Sequence, residues 1–182
     1  MKIHGVNEIE GVRITPTKLV ADDRGVFLKF RPQNEFVGTL DSIALSFNPI
    51  LGTIRGLHFQ IEPYAEEKLV TCIQGAIFDV IVDLREDSKT FGKWASIELS
   101  STNNLQAFLP KGVAHGFQTL FPESVVHYAL GAPYSPEYSY SIDPFGDLGI
   151  NWPLETTSIS QKDVTGVSFM FAAQQYAKSL KN

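Results

Sequence analysis

Short segments rich in Val, Ile, Phe and Thr recur along most of this chain, each closed by Gly, Pro, Asn or Asp, a pattern that leaves room for little but strands. The clearest is residues 76–84, where Phe78, Val80, Val82 and Leu84 share one face at the two-residue period and Asp79 and Asp83 fall on the other. This predicts a strand with one core face and one partly polar face. Gly75 separates it from the run 69–73, so the two read as a hairpin turning at Gln74-Gly75. Further strands are predicted at 25–30, 42–47, 53–59, 95–100, 106–109, 116–120 and 125–130. So many short strands predict an all-β protein built as a jelly-roll barrel. The exception is the C-terminus, where Phe169, Ala172, Ala173, Tyr176 and Leu180 mark one face at helical spacing and Ser168 is placed to cap it. A terminal helix over about 168–180, packed on the barrel, is expected. No composition shift, repeat or low-complexity tract divides the 182 residues, so one domain over 1–182 is expected.

The charge balance narrows the function. A formal net charge of -5 and a pI near 5.3 provide no basic field for a polyanion, so no nucleic-acid partner is expected. The first eleven residues, MKIHGVNEIEG, hold no apolar run of signal-peptide length, and no later stretch approaches a membrane span. A cytoplasmic protein without a membrane partner is expected. Cys72 is the one cysteine, which excludes an internal disulfide and a cysteine zinc cluster, and its apolar neighbours predict a buried, inert thiol.

Two stretches bring chemistry together. The first is Arg55-Gly-Leu-His58-Phe-Gln60, followed by Lys68; strand alternation aims His58 and Gln60 to one face. The second, Pro110-Lys-Gly-Val-Ala-His115-Gly-Phe, fits the cupin pattern Pro-x-Gly-x-x-His. These resemble the two motifs of cupin barrels, whose metal ligands are two histidines and a glutamate from the first and a histidine from the second. Here Gln60 stands at the second histidine position and Lys68 at the glutamate position. A lysine ammonium repels a divalent cation and has no lone pair to donate, so the pattern predicts a site without metal that stabilises an anion.

A wider resemblance runs from about residue 11 to 164. Asp23-Arg-Gly, Arg55-Gly-Leu-His-Phe-Gln, Lys68-Leu-Val, Phe78-Asp-Val-Ile-Val-Asp-Leu-Arg, Thr90-Phe-Gly-Lys-Trp, Pro110-Lys-Gly-Val-Ala-His-Gly-Phe, Tyr134-Ser-Pro, Gly149-Ile-Asn-Trp-Pro and Ser160-Gln-Lys-Asp occur in that order. In these nine stretches the chain resembles the dTDP-4-dehydrorhamnose 3,5-epimerase family of cupin-type barrels. The resemblance implies an isomerase that inverts C3, C5 or both of a 4-keto-6-deoxyhexose linked to a nucleotide, expected to be dTDP, with no cofactor, in a homodimer; the alternative within it is a mono-epimerase on another 4-keto sugar nucleotide. It also implies site residues. His58 would be the general base with Asp163 as its carboxylate partner, Tyr128 the general acid on the opposite sugar face, and Lys68 the stabiliser of the enolate. Arg55, Gln60 and His115 would line the substrate site, Arg24 and Lys162 would bind the diphosphate, and Tyr134 would stack on the base. The chemistry is coherent. Removing a proton beside a ketone requires a base over the C–H bond and a cation near the ketone oxygen, and inversion requires a second group opposite.

Departures from the family pattern concern substrate choice: Lys29 stands where a glutamate usually follows Asp23-Arg-Gly, and the 138–147 loop is altered. Asp79, Asp83 and Arg85 read as architecture, Trp94 and Trp152 as packing anchors, and His4 and His127 as structural or exposed. Two other functions are compatible with the barrel. A metal-dependent cupin isomerase or dioxygenase would use His58 and His115 as ligands, against which Gln60 and Lys68 argue. A non-catalytic sugar-nucleotide-binding barrel would not need base, acid and enolate stabiliser together.

Overall fold

The computed structural model describes residues 5, 8–30, 36 and 38–181, so His4 lies outside it. Its strands are β1 (Arg13–Pro16), β2 (Lys18–Asp22), β3 (Gly25–Lys29), β4 (Ser42–Asn48), β5 (Ile54–Gln60), β6 (Lys68–Gln74), β7 (Ala76–Asp83), β8 (Trp94–Ser100), β9 (Leu105–Leu109), β10 (Val113–Thr119), β11 (Ser124–Leu130) and β12 (Ser139–Ser141). Two short helical segments, a 3-10 turn at Pro136–Tyr138 and α1 (Gln161–Val164), precede the terminal helix α2 (Phe169–Ser179). The named strands pair antiparallel, in two five-stranded sheets ordered β1-β9-β6-β11-β4 and β12-β5-β10-β7-β8, with β2 and β3 forming a separate hairpin. This is the expected all-β, cupin-like jelly-roll architecture with its C-terminal helix. No helix among the described residues is long and apolar enough to cross a membrane.

Side chains from both sheets meet inside. Val70, Ile77, Ile81, Ile97, Leu109, Phe117 and Val126 form a buried cluster between them. Each fully buried side chain of this kind contributes roughly 2 kcal/mol, more than an exposed ion pair does. This cluster corrects the reading of β7. Ile77, Asp79, Ile81 and Asp83 are the residues that alternate inward, while Phe78, Val80, Val82 and Leu84 face outward into a second cluster. Both faces are buried because α2 covers the outer one with Phe169, Ala172, Ala173 and Tyr176. Ser168 caps α2 by accepting from the Phe171 N–H at 3.3 Å, and Leu180, just past the helix end, is exposed. Cys72 is buried, and burial pushes its thiol up to about 12.

Strands β1, β2 and β12 and helix α1 were not predicted. All four are five residues or shorter with no strong period, and β12 is held by its pairing with β5. That pairing places Ser141 opposite His58, and the next strand over places His115 opposite His58. Close approach of β5 and β10 depends on Gly56, whose φ is +99° and whose added Cβ would sit 2.6 Å from the His115 carbonyl.

Candidate active site

A cavity of about 580 Å3 opens between the sheets, beyond the apolar interior. Nine of the ten predicted site residues line it: Arg55, His58, Gln60, Lys68, His115, Tyr128, Tyr134, Lys162 and Asp163. Strand β5 supplies Arg55, His58 and Gln60, β10 supplies His115, and the opposite sheet supplies Lys68 and Tyr128. Asp163 arrives from α1, whose first turn is fixed by the Ser160 hydroxyl accepting from the Asp163 N–H at 3.1 Å.

His58 Nε2 lies 2.6 Å from Asp163 Oδ1, with the histidine side chain 41% exposed to the cavity and the aspartate side chain 4%. Burial alone would raise the Asp163 carboxyl. The hydrogen bond and charge of His58, then the Ser141 hydroxyl at 2.7 Å and the Gly56 N–H at 3.2 Å, outweigh it and hold the group down to about 2. An ionised carboxylate can only accept, so a proton sits on His58 Nε2, and in the neutral ring Nδ1 keeps the lone pair that a base needs. A second pair lies alongside: His115 Nε2 meets Asp79 Oδ1 at 2.7 Å, both side chains buried. Tyr128 packs edge-on to the His115 ring, with centroids 6.0 Å apart. Burial, reinforced by the negative charge of Asp79, raises the Tyr128 phenol above its ordinary range, so it holds its proton at neutral pH. Lys68 Nζ reaches Glu66 Oε1 at 3.0 Å, and both residues line the cavity. Arg55 is oriented by its Nε donating to Asn48 Oδ1 at 2.7 Å.

The arrangement is an imidazole on one sheet and a protonated phenol on the other, with an ammonium beside the phenol. Proton removal at one face of a bound molecule and proton delivery at the other fits that geometry. A sequence model described as dTDP-4-dehydrorhamnose 3,5-epimerase matches residues 6–170. The chain belongs to this epimerase family. It is therefore an isomerase-class enzyme of the deoxysugar type. It is 43% identical over 164 residues to the dTDP-4-dehydrorhamnose 3,5-epimerase of Sinorhizobium fredii, spanning 85% of this chain and 83% of the relative. The crystal structure of the Bacillus anthracis dTDP-4-dehydrorhamnose 3,5-epimerase with TDP and pyrophosphate bound superposes with a TM-score of 0.82 at 37% identity, over 86% of this chain and 93% of that one. The Legionella pneumophila dTDP-6-deoxy-D-glucose-3,5-epimerase, in complex with dTDP-4-keto-L-rhamnose, gives a TM-score of 0.86 at 32% identity, over 96% of each chain.

Against the family pattern, Arg24 is the predicted residue that the fold does not bring to the cavity. It sits at the turn of the β2–β3 hairpin, its guanidinium paired with Asp22 at 2.6 Å and exposed. Gln60 lines the cavity, but its amide is engaged by backbone groups. His127 faces out of the barrel and stacks on Phe30 at 4.9 Å, and burial lowers its pKa. Four contributors escaped the sequence reading. Asp79 reads in the sequence as architecture, although the period of β7 already places it opposite Phe78 and Val80. Asn48, Glu66 and Ser141 gave no such signal, because their roles depend on partners seven, two and twenty-two residues away that only folding aligns.

Proposed function

We propose that this enzyme inverts C3 and C5, the two carbons flanking the ketone, of a dTDP-linked 4-keto-6-deoxyhexose in the cytoplasm, using acid–base chemistry through an enolate. The observation that carries this reading is a base and a phenolic acid on opposite sheets of one cavity with a lysine ammonium between sheet and substrate space. His58 Nδ1 takes the proton from carbon, and Asp163 stabilises the resulting imidazolium. Lys68, with Arg55 and His115 beside it, stabilises the negative charge that develops on the ketone oxygen. Tyr128 delivers a proton to the opposite face. At the rim, Lys162 and Tyr134 face one another, with Nζ 5.9 Å from the ring centroid, and are assigned to the diphosphate and the base. No metal is invoked: Gln60 and Lys68 occupy the cupin ligand positions, and among the described residues no three His, Cys, Asp or Glu groups converge as a metal site. Incubating the purified enzyme with dTDP-4-keto-6-deoxyglucose in deuterated water tests the reading. Deuterium with inversion at both C3 and C5, unaffected by exhaustive chelation, is expected. Label at one carbon would make it a mono-epimerase, and no label at all would leave a binding barrel.

The enzyme is expected to act as a homodimer. The hairpin exposes Leu19, Val20, Val26 and Phe27, and the edge strand β4 exposes Ile43, Leu45 and Phe47. A second copy would cover these apolar rows and the unpaired strand edge, and would give Arg24 a cavity to reach. Sedimentation at micromolar concentration is expected to show a dimer, whereas a fully active monomer would contradict it.

A further inference from the structure

Gln60 is 4% exposed, and its amide is saturated by the protein itself. Its Nε2 donates to the carbonyls of Tyr64 at 3.1 Å and Pro133 at 3.2 Å, and its Oε1 accepts from the Ser135 N–H at 2.7 Å. Pro133 and Ser135 are the two neighbours of Tyr134. The ring between them is 66% exposed on the cavity rim. Among the described residues, no other element exchanges a hydrogen bond with the backbone of 133–135, apart from the local turn in which Tyr138 N–H donates to Ser135 O at 3.1 Å. The third contact, Tyr64, packs its ring on Tyr138 at 5.0 Å, so the same amide ties two adjoining loops to the end of β5.

We infer that Gln60 is a positioning residue for the nucleotide: it fixes the backbone on both sides of Tyr134 and so aims that ring at the base, without itself touching the substrate. This rests on Tyr134 being the stacking surface proposed above. An exposed aromatic on a loosely held loop would lose conformational freedom on stacking, and a loop fixed beforehand avoids that cost. The residue type follows from the bonds. A primary amide offers two donors and an acceptor in one plane, whereas an imidazole has two nitrogens and cannot satisfy two carbonyls and an N–H together. Glutamine at a position where metal cupins carry histidine therefore serves the loop.

The test is a double-mutant cycle read by calorimetric binding of dTDP and by steady-state kinetics on the intact enzyme. Tyr134→Ala is expected to weaken dTDP about 10-fold, as loss of one base stack does. Gln60→Leu is expected to weaken it several-fold, to lower kcat/KM in parallel, and to leave kcat within about twofold. In the Tyr134→Ala background, Gln60→Leu should add less than about twofold, because both changes remove the same contact. Gln60→Glu keeps the acceptor for Ser135 and loses both donors. Its second carboxylate oxygen would face the carbonyls of Tyr64 and Pro133, so it should weaken dTDP at least as much as Gln60→Leu by the same route, and it carries the test if the leucine variant does not fold. An equal further loss in the Tyr134→Ala background, or a fall in kcat with unchanged dTDP affinity, would show that Gln60 acts independently of Tyr134. If Tyr134→Ala binds dTDP normally, the stacking assignment itself is wrong and the inference falls with it.

Discussion

Replacing His58 by alanine is expected to abolish solvent exchange at every epimerisable carbon, with kcat reduced roughly 1,000-fold or more, while dTDP binding changes little. The magnitude follows from the loss of a positioned general base, a contribution of about 100- to 10,000-fold, at a site where no other imidazole shares the same orientation. His115 is the nearest alternative, but its Nε2 is committed to Asp79 and it lies a strand further into the sheet. Binding should be spared because His58 is assigned to the sugar carbons, whereas Tyr134 and Lys162, which also line the cavity, are assigned to the nucleotide. Asp163→Asn should cost less, since it leaves the base in place and removes its orienting charge. It should also cost stability. A carboxyl held at about 2 contributes roughly 2 kcal/mol that is fully present above its ordinary pKa near 4 and is lost as pH falls toward 2. Denaturant unfolding of wild type and Asp163→Asn should therefore differ at pH 7 and converge only as the pH falls to about 2. Near-normal exchange by His58→Ala would remove His58 as the base.

Tyr128→Phe separates proton removal from proton delivery. The ring's packing against His115 and the apolar interior is retained, so the cavity keeps its shape. What is lost is a donor that burial keeps protonated. The enolate still forms at His58 under the stabilising charge of Lys68. Reprotonation then returns mainly from His58 on the original face. Deuterium should enter the substrate with retained configuration, and the epimer should accumulate roughly 100-fold or more slowly. Nuclear magnetic resonance of the recovered sugar nucleotide distinguishes exchange from inversion at each carbon. Inversion at the normal rate would assign proton delivery to another group.

The sequence alone determined most of the barrel, because strand periodicity and turn residues are local properties. Strands β4 to β11 and helix α2 fall within a few residues of their predicted spans, since each carries its own apolar alternation or stripe. The motif histidines and Lys68 were legible for a related reason: the cupin frame fixes their spacing within single strands or across one hairpin. Tertiary structure decided what needed partners distant in the chain. Which face of β7 is interior was settled by elements far along the chain: Val80, Val82 and Leu84 cluster with the apolar stripe of α2, Phe78 packs on Trp152, and Asp79 is left facing His115. The meeting of Asp163 with His58 spans 105 residues, and Ser141 joins them through the short pairing of β12 with β5. Arg24 shows the converse. Its motif is plain in the sequence, but the hairpin that carries it pairs, among the described residues, only with itself and holds it outside the cavity of its own chain. Local pattern specifies elements because backbone preference and side-chain period act over a few residues, whereas a site assembled from two sheets, a loop and a helical turn exists only when long-range packing brings those elements into register.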